Sequence, residues 1–564
     1  VNRWLAIALI IVGLGFVGAT VRPMAFTGDE TRYAAQGVAL FTTGTIHPDA
    51  RAWTAFVERS GLSPARYPLA SVSAVAPAIG PSFAFGAFLR LAGLDGGRWA
   101  AYVACCIGIF ALYVFLRSLV RPPIAIFTTV MVTFSLPLVA YARLVYPDVL
   151  LFALVSVAFS LLRSERRFAS VVVASALPFV HVRASLLAAA FVAIAILDAA
   201  RHGAPRSKIV RLAAFFAAAM LLLATVQYRV YGDVLGPAFP SYRPSLAIFV
   251  ERAGLQLFDV RHGLLAYAPI YLIGIAGLVA AVLARDRFGT YAALTFASYF
   301  ITFVWSTASE SWTARFWVAA IPMLAVGISF WISRISRWTG WLPLVPCAIL
   351  TLVNVGLYCR EPAWFLENRR ASVSYAELFF ATHLHLGLYL PIDTDATGLP
   401  QDTSALPWLL VWFALLTALL VYVALVRSPI VRRAFAIAAF CALVVPIAAS
   451  FQKTVAPADY HISAIPNGRG ILIEPRDPPE RFTAMQFDDK LSLPWTGDAY
   501  PRFFAVVCYD PGVGVVTFVE PSRPIVLLGK CRFGGHILIR EIPSDTERRM
   551  YSPTDHITLM QSAF

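Results

Sequence analysis

Charge is scarce in this 564-residue chain: acidic and basic residues make up 14% of it, against 59% hydrophobic. Soluble domains carry about a quarter charged and about half apolar residues, so this balance excludes an ordinary soluble protein and points to a bilayer. Lysine is nearly missing, with arginine supplying almost all the positive charge; that bias carries no mechanism. Cysteine is sparse as well. Cys105, Cys106, Cys347, Cys359 and Cys441 lie in or beside apolar runs and read as packing residues. No glycine-rich nucleotide loop, DxD-like metal motif, tandem repeat or low-complexity tract is apparent. His383 and His385 stand without companion ligands, so they read as surface residues rather than a metal site.

What the chain has instead is segregated apolar sequence. Runs such as 4–19, 100–115, 264–283 and 406–425 hold almost no charge over the ~20 residues needed to cross hydrocarbon. The first run lacks a small-x-small cleavage site behind it and reads as a retained span. The net charge of +14 does not imply nucleic acid, because the arginines sit in short loops between apolar runs. That is the positive-inside pattern, and it reports orientation.

The loop charges give a topology. Basic clusters occur at Arg117/Arg121, Arg163/Arg166/Arg167, 201–211, Arg285/Arg287, Arg334/Arg337 and 427–433. If all face the cytoplasm, two spans must separate each from the next. The intervening apolar runs do come in pairs: 123–140 with 149–162, 169–181 with 185–198, 210–229 with 264–284, 288–305 with 316–333, and 341–358 with 407–426. A last span, 433–449, leaves the C-terminus outside. Counting 69–92 as a span would invert every later loop. Its Pro77, Gly80, Pro81 and Gly86 interrupt a helix, so it is expected to lie on the outer surface or to re-enter.

The expectation is therefore an α-helical polytopic membrane protein with about thirteen spans over 1–449, its N-terminus cytoplasmic. Pro178 leaves 169–198 readable either as two short spans or as one bent helix. Loops 21–98 and 359–405 and the tail 450–564 share the outer face. The tail, with short β-rich runs at 503–509, 513–519, 525–528 and 536–539, reads as a small, mostly β extracytoplasmic domain. There Cys508 and Cys531 are placed to pair under oxidising conditions.

Transporters and channels are the commonest proteins of this kind, and they carry ionisable groups near mid-bilayer. Here the carboxylates sit at the outer ends of spans instead: Asp29, Glu30, Asp148, Asp233, Asp259 and Glu310. Such a ring suits chemistry on a lipid-linked substrate whose headgroup lies at the interface. In Thr27-Gly28-Asp29-Glu30-Thr31-Arg32-Tyr33, Thr27 and Glu30 fit a capping box opening a helix over 30–42. The alternative is chemical: adjacent carboxylates at a partly dry interface repel, which makes Asp29 a better general base beside Glu30.

These residues resemble a family pattern. The acidic pair in the first outer loop followed by Tyr33 is similar to the GT-C glycosyltransferases of the protein-mannosyltransferase and aminoarabinose-transferase-like group. So are Tyr67-Pro68 leading to an apolar surface helix with Arg98 opening the next span, the stretch Ala142-Arg143-Leu144-Val145-Tyr146-Pro147-Asp148, the stretch Gly263-Leu264-Leu265-Ala266-Tyr267-Ala268-Pro269, and the series Trp305, Ser309, Arg315-Phe316, Pro322. The resemblance covers roughly 1–330 in order. It departs where the aminoarabinose transferases carry lysine near the donor phosphate, and in loop 43–66.

The resemblance implies a polyprenyl-monophosphate sugar as donor, a lipid, glycan or protein as acceptor, membrane lipids as surroundings, and no required cofactor. It places the enzyme in a bacterial inner membrane. Asp29, Glu30 and Asp148 would be catalytic. Arg261, His262, Arg315 and Arg183 would hold donor phosphate, since a leaving phosphate needs cationic donors and no general acid. Tyr33, Tyr67 and Glu310 would contact sugar or acceptor. A single interfacial arginine also snorkels to lipid phosphate without any such role, and Asp148 favours a helix N-terminus regardless of function. Two other classes fit the same features: a flippase of lipid-linked sugars, and an inactive glycan-binding scaffold.

Overall fold

The computed structural model describes residues 30–64, 78–234, 246–258, 263–306, 314–334 and 344–360, a few isolated positions before and between them, and strands between 460 and 561. Asp29, Arg261, His262, Glu310 and the expected spans 407–426 and 433–449 lie outside the described residues.

The described residues are mostly helical. Among them, four helical stretches are long and apolar enough to cross a membrane: Ile79–Leu119, Val182–Arg201, Arg206–Tyr231 and Arg315–Arg334. The helices used below are α1 (Glu30–Thr43), α2 (Ala50–Arg59), α3 (Ile79–Leu119), α4 (Pro122–Thr133), α5 (Leu136–Tyr141), α6 (Pro147–Arg163), α7 (Arg167–Val180), α8 (Ser185–Arg201) and α9 (Arg206–Tyr231). After these come α10 (Leu246–Phe258), α11 (Leu264–Tyr267), α12 (Ile270–Leu283), α13 (Arg287–Ser306), α14 (Ile321–Arg334) and α15 (Leu344–Arg360).

Local sequence explains the starts and stops. Proline occupies the first positions of α4, α5 and α6, where its missing N–H costs nothing. Asp49 caps α2 by accepting the Ala52 N–H at 2.8 Å. Gly232 ends α9 in the left-handed conformation.

Two apolar runs differ from their expected form. The run 123–140 breaks at Phe134-Ser135 into α4 and α5. The run 264–284 breaks at Ala268-Pro269 into α11 and α12. Of the two readings for 169–198, the structure has two helices, α7 and α8, around a buried turn at Val182–Ala184; Pro178 sits inside α7 without ending it. A third difference concerns 69–92. Gly80, Pro81 and Gly86 do not interrupt α3: the first two fall in its first turn, where proline is tolerated, and Gly86 lies within it. The break comes later, at Ala92-Gly93, where Gly93 takes φ +66°, a conformation that favours glycine. Ser60, just past α2, accepts the Leu94 N–H at 2.9 Å and so fixes where the second half of α3 begins. Before the break, α3 exposes Phe83, Phe88 and Leu91 while burying Phe85 and Leu89.

Packing ties these helices into one core. Phe115 of α3 stacks on Phe159 of α6 at 5.1 Å, and Phe159 meets Phe191 of α8 edge-on at 4.6 Å. Helices α12 and α14 approach until a Cβ at Gly277 would collide with the Gly327 backbone, the small-residue contact expected where lipid supplies no hydrophobic drive. By contrast α9 is barely buried and exposes Val210, Leu221, Leu222 and Tyr228, which hydrocarbon would solvate at no cost.

In the C-terminal stretch, the strands Tyr460–Ala464, Gly470–Pro475, His536–Glu541, Phe503–Tyr509 and Val513–Phe518 pair antiparallel in that order. Met485–Gln486, Ile525–Gly529 and Ile557–Gln561 form a second antiparallel sheet.

Candidate functional site

Two buried acid–arginine centres meet at the connection between α5 and α6. The first is built on Glu30, the opening residue of α1 and 0% exposed. Arg98 of α3 grips its carboxylate as a fork, Nη2 at 2.7 Å from one oxygen and Nε at 3.1 Å from the other. The Val145 backbone N–H donates to the same carboxylate at 3.2 Å. Partners 68 and 115 residues away make this more than a local helix cap. Arg98 lies five residues past the break in α3, so the turn at Gly93 decides where its guanidinium reaches.

The second centre is Asp148, in the first turn of α6 and also 0% exposed. One carboxylate oxygen takes Arg315 Nε at 2.8 Å and the other takes Arg183 Nη2. Arg183 sits on the turn between α7 and α8, where His181 Nδ1 accepts the Arg183 backbone N–H at 3.2 Å. Arg315 opens a short 3-10 helix, Arg315–Ala320, leading into α14. That element is pinned from two sides: the Tyr299 hydroxyl donates to the Phe316 carbonyl at 3.0 Å, and Trp317 Nε1 donates to the Gln256 carbonyl at 3.0 Å. The Phe316 ring lies against both cations, 4.3 Å from Arg183 and 5.5 Å from Arg315.

Tyr146 joins the centres. Its ring lies 4.1 Å from the Arg315 guanidinium carbon and meets Tyr33 of α1 edge-on at 6.0 Å. Within four residues, the chain thus supplies a backbone donor to Glu30, a platform for Arg315 and the counter-ion for two arginines. Arg183 Nε is buried with no hydrogen-bond acceptor among the described residues. A buried guanidinium N–H left unpaired is costly, so this edge of the centre is suited to an anionic oxygen.

Of the residues expected from sequence, Glu30, Tyr33, Asp148, Arg183 and Arg315 come together. Tyr67 belongs to another cluster: its ring meets Phe26 edge-on at 5.2 Å, and its carbonyl accepts from Trp53 Nε1 at 2.9 Å. Sequence reasoning did not anticipate Arg98 as the partner of Glu30, nor Tyr146, Phe316 and His181 as parts of the site. Arg98 did leave a signal, as the arginine expected to open the next span after the apolar surface helix.

Among the described residues, no group of three or more His, Cys, Asp or Glu converges as a metal site. No protein-family model, curated protein or solved structure matches the chain. The fold and site together define a helical protein with apolar helices of membrane-spanning length and a pair of coupled, buried acid–arginine centres at helix ends.

Proposed function

We propose that this protein is a GT-C-type glycosyltransferase of a bacterial inner membrane, moving one sugar from a polyprenyl-monophosphate donor to an extracytoplasmic lipid, glycan or protein. The reading rests on one observation above others: arginines 132 residues apart in sequence, Arg183 and Arg315, converge on Asp148, and Arg183 keeps a buried N–H without an acceptor among the described residues. That is the chemistry a lipid-borne phosphate requires. Asp148, with an arginine on each carboxylate oxygen, enters as the residue that positions the cations.

In the proposed reaction Asp29 takes the acceptor hydroxyl proton as that oxygen attacks the anomeric carbon. The bond from that carbon to the phosphate oxygen breaks on the opposite face, inverting the centre, and the electron pair leaves with the phosphate. Arg183 and Arg315 would stabilise the charge on the leaving group, with Arg261 and His262 as further donors. Glu30, fixed by Arg98, would shape the acceptor side with Tyr33; Tyr67 and Glu310 are assigned to sugar or acceptor contact from sequence alone. The finer architecture belongs to the same proposal: about thirteen spans, and an extracytoplasmic domain formed by the paired strands of the tail.

Acid placement favours this over transport of lipid-linked sugars. Arg206–Tyr231 and Arg315–Arg334 contain no carboxylate, Asp198 lies in the last turn of α8, and Asp95 lies beside the break in α3. A transporter would place such groups near mid-span.

The test is release of free polyprenyl phosphate from a panel of polyprenyl-phosphate sugars by purified protein in nanodiscs, for wild type and Asp29→Ala. Release that Asp29→Ala abolishes while donor binding persists is the expected result. Tight donor binding with no release from any donor would turn the assignment to transport. Equal release by both proteins would remove Asp29 as the base.

A further inference from the structure

A third buried charge centre lies at the far end of the helices that carry Asp148 and Arg183. Asp148 and Arg163 are fifteen positions apart on α6, and Arg183 and Asp198 are fifteen apart across the turn and α8, roughly 22 Å at ~1.5 Å per residue. At this far end Asp198, 0% exposed, accepts from Arg167 Nε at 2.8 Å, from the Tyr291 hydroxyl at 3.0 Å and from Arg287 Nη2. Arg167 opens α7, Asp198 closes α8 and Arg287 opens α13, so one carboxylate ties three helix ends together.

The cluster holds more positive charge than that carboxylate balances. Arg163, the last residue of α6, lies 5.2 Å from the Phe288 ring, and Arg287 lies 5.1 Å from the same ring, which brings two guanidiniums to one aromatic side chain. Arg163 spends one N–H on the Ser118 carbonyl at 3.3 Å, a neutral partner. Arg167 Nη2 has no hydrogen-bond acceptor among the described residues. His202, on the exposed side, uses Nδ1 on the Asp198 carbonyl at 2.7 Å and sets Nε2 3.5 Å from Arg287 Nη1. The nearby acids do not restore neutrality. Asp286 Oδ1 caps α13 by accepting the Gly289 N–H, while Arg166 and Arg285 add cations to the turns that carry Glu165 and Asp286, and Arg201 ends α8.

We propose that Arg163, Arg167 and Arg287 form an anion site for the phosphodiester headgroup of an anionic phospholipid at this end of the bundle. Three features select that ligand. The cations stand at the ends of apolar helices, the depth at which lipid phosphates lie. Arg163 and Arg287 are exposed enough to be reached, the Arg287 side chain being 38% exposed. Arg163 and Arg287 both sit over the Phe288 ring, at 5.2 and 5.1 Å, which sets two guanidiniums close enough together to share the oxygens of one phosphate. Asp198 serves as the internal counter-ion that holds Arg167 and Arg287 in place. This site is independent of the glycosyltransferase reading.

Delipidated protein in an uncharged detergent would be titrated with dioctanoyl phosphatidylglycerol, dioctanoyl phosphatidylcholine and inorganic phosphate, with bound lipid counted by native mass spectrometry and Tm recorded. Phosphatidylglycerol is expected to bind and raise Tm where phosphatidylcholine does neither. Arg163→Gln and Arg287→Gln should each weaken its binding about tenfold, the size of one charge-assisted contact. Because Arg287→Gln also strips a partner from Asp198 and can impair folding, Arg163→Gln, which does not touch Asp198, decides the matter. Equal binding of the two lipids, or undiminished phosphatidylglycerol binding by folded Arg163→Gln, would overturn the proposal. Inorganic phosphate raising Tm as far as the lipid at equal concentration would overturn the lipid assignment.

Discussion

The Arg315 guanidinium sits over the Tyr146 ring, 4.1 Å from its carbon to the ring centroid, and the ring so couples the cation to the helix that begins at Glu30. The contact is between a ring and a planar cation, so the ring matters more than the hydroxyl. Tyr146→Phe is expected to keep donor affinity within about twofold, whereas Tyr146→Leu should weaken it by about 1–2 kcal/mol, roughly five- to thirtyfold. Binding of a polyprenyl-phosphate sugar to the two variants separates ring from hydroxyl, and equal losses would make the hydroxyl the important group.

Asp148 balances two buried guanidiniums. Asp148→Asn keeps the shape and removes the carboxylate charge that Arg183 and Arg315 share; breaking a buried pair in this way costs about 3–5 kcal/mol. Thermal unfolding in detergent should show a large drop in Tm. Arg183→Gln combined with Asp148→Asn should cost less than the two single losses added, because the partners share one interaction. Additive losses would show that the two side chains do not depend on each other.

Glu30 and Arg98 form the other buried pair, with fork geometry on both oxygens. Arg98→Lys keeps the charge but cannot reproduce the two-point grip, so it should destabilise nearly as much as Arg98→Gln. The same unfolding measurement checks this, and full rescue by lysine would reduce the contact to simple charge.

Helices α12 and α14 touch through glycine. Gly327→Ala places a methyl against the Gly274 backbone, and Gly327→Val adds two more carbons. Overpacking of this kind costs about 1–3 kcal/mol, more when backbone rather than a flexible side chain is struck. Expression and monodispersity on size exclusion should fall from alanine to valine, and an unaffected valine variant would mean that the helices separate easily.

The helical, apolar character of the described residues was legible in the sequence, because long apolar runs are a strong signal. The helix at 30–42 was anticipated from its capping pattern and is found at Glu30–Thr43. Where runs break was less legible. Pro178 did not end its helix, whereas Phe134-Ser135 and Ala92-Gly93 broke theirs, since the choice depends on tertiary partners such as Ser60 rather than on propensity. Glu30, Asp148, Arg183 and Arg315 stood out as charges at helix ends. Their pairing did not: Arg98 was visible only as the arginine opening a span, and a ring such as Tyr146 is indistinguishable in sequence from an interfacial tyrosine. Asp198 illustrates the same limit, since a single acid among basic loops gives no sign that three helix ends converge on it.

The turn at Gly93 sets a depth. Five residues separate it from Arg98, roughly 7–8 Å along a helix at ~1.5 Å per residue. Ahead of the turn α3 shows Phe83, Phe88 and Leu91 outward, a face suited to lying on lipid. If that segment floats at the membrane surface, the turn acts as a plumb line: the Glu30–Arg98 pair hangs a fixed distance below the water, whatever the thickness of the bilayer beneath it.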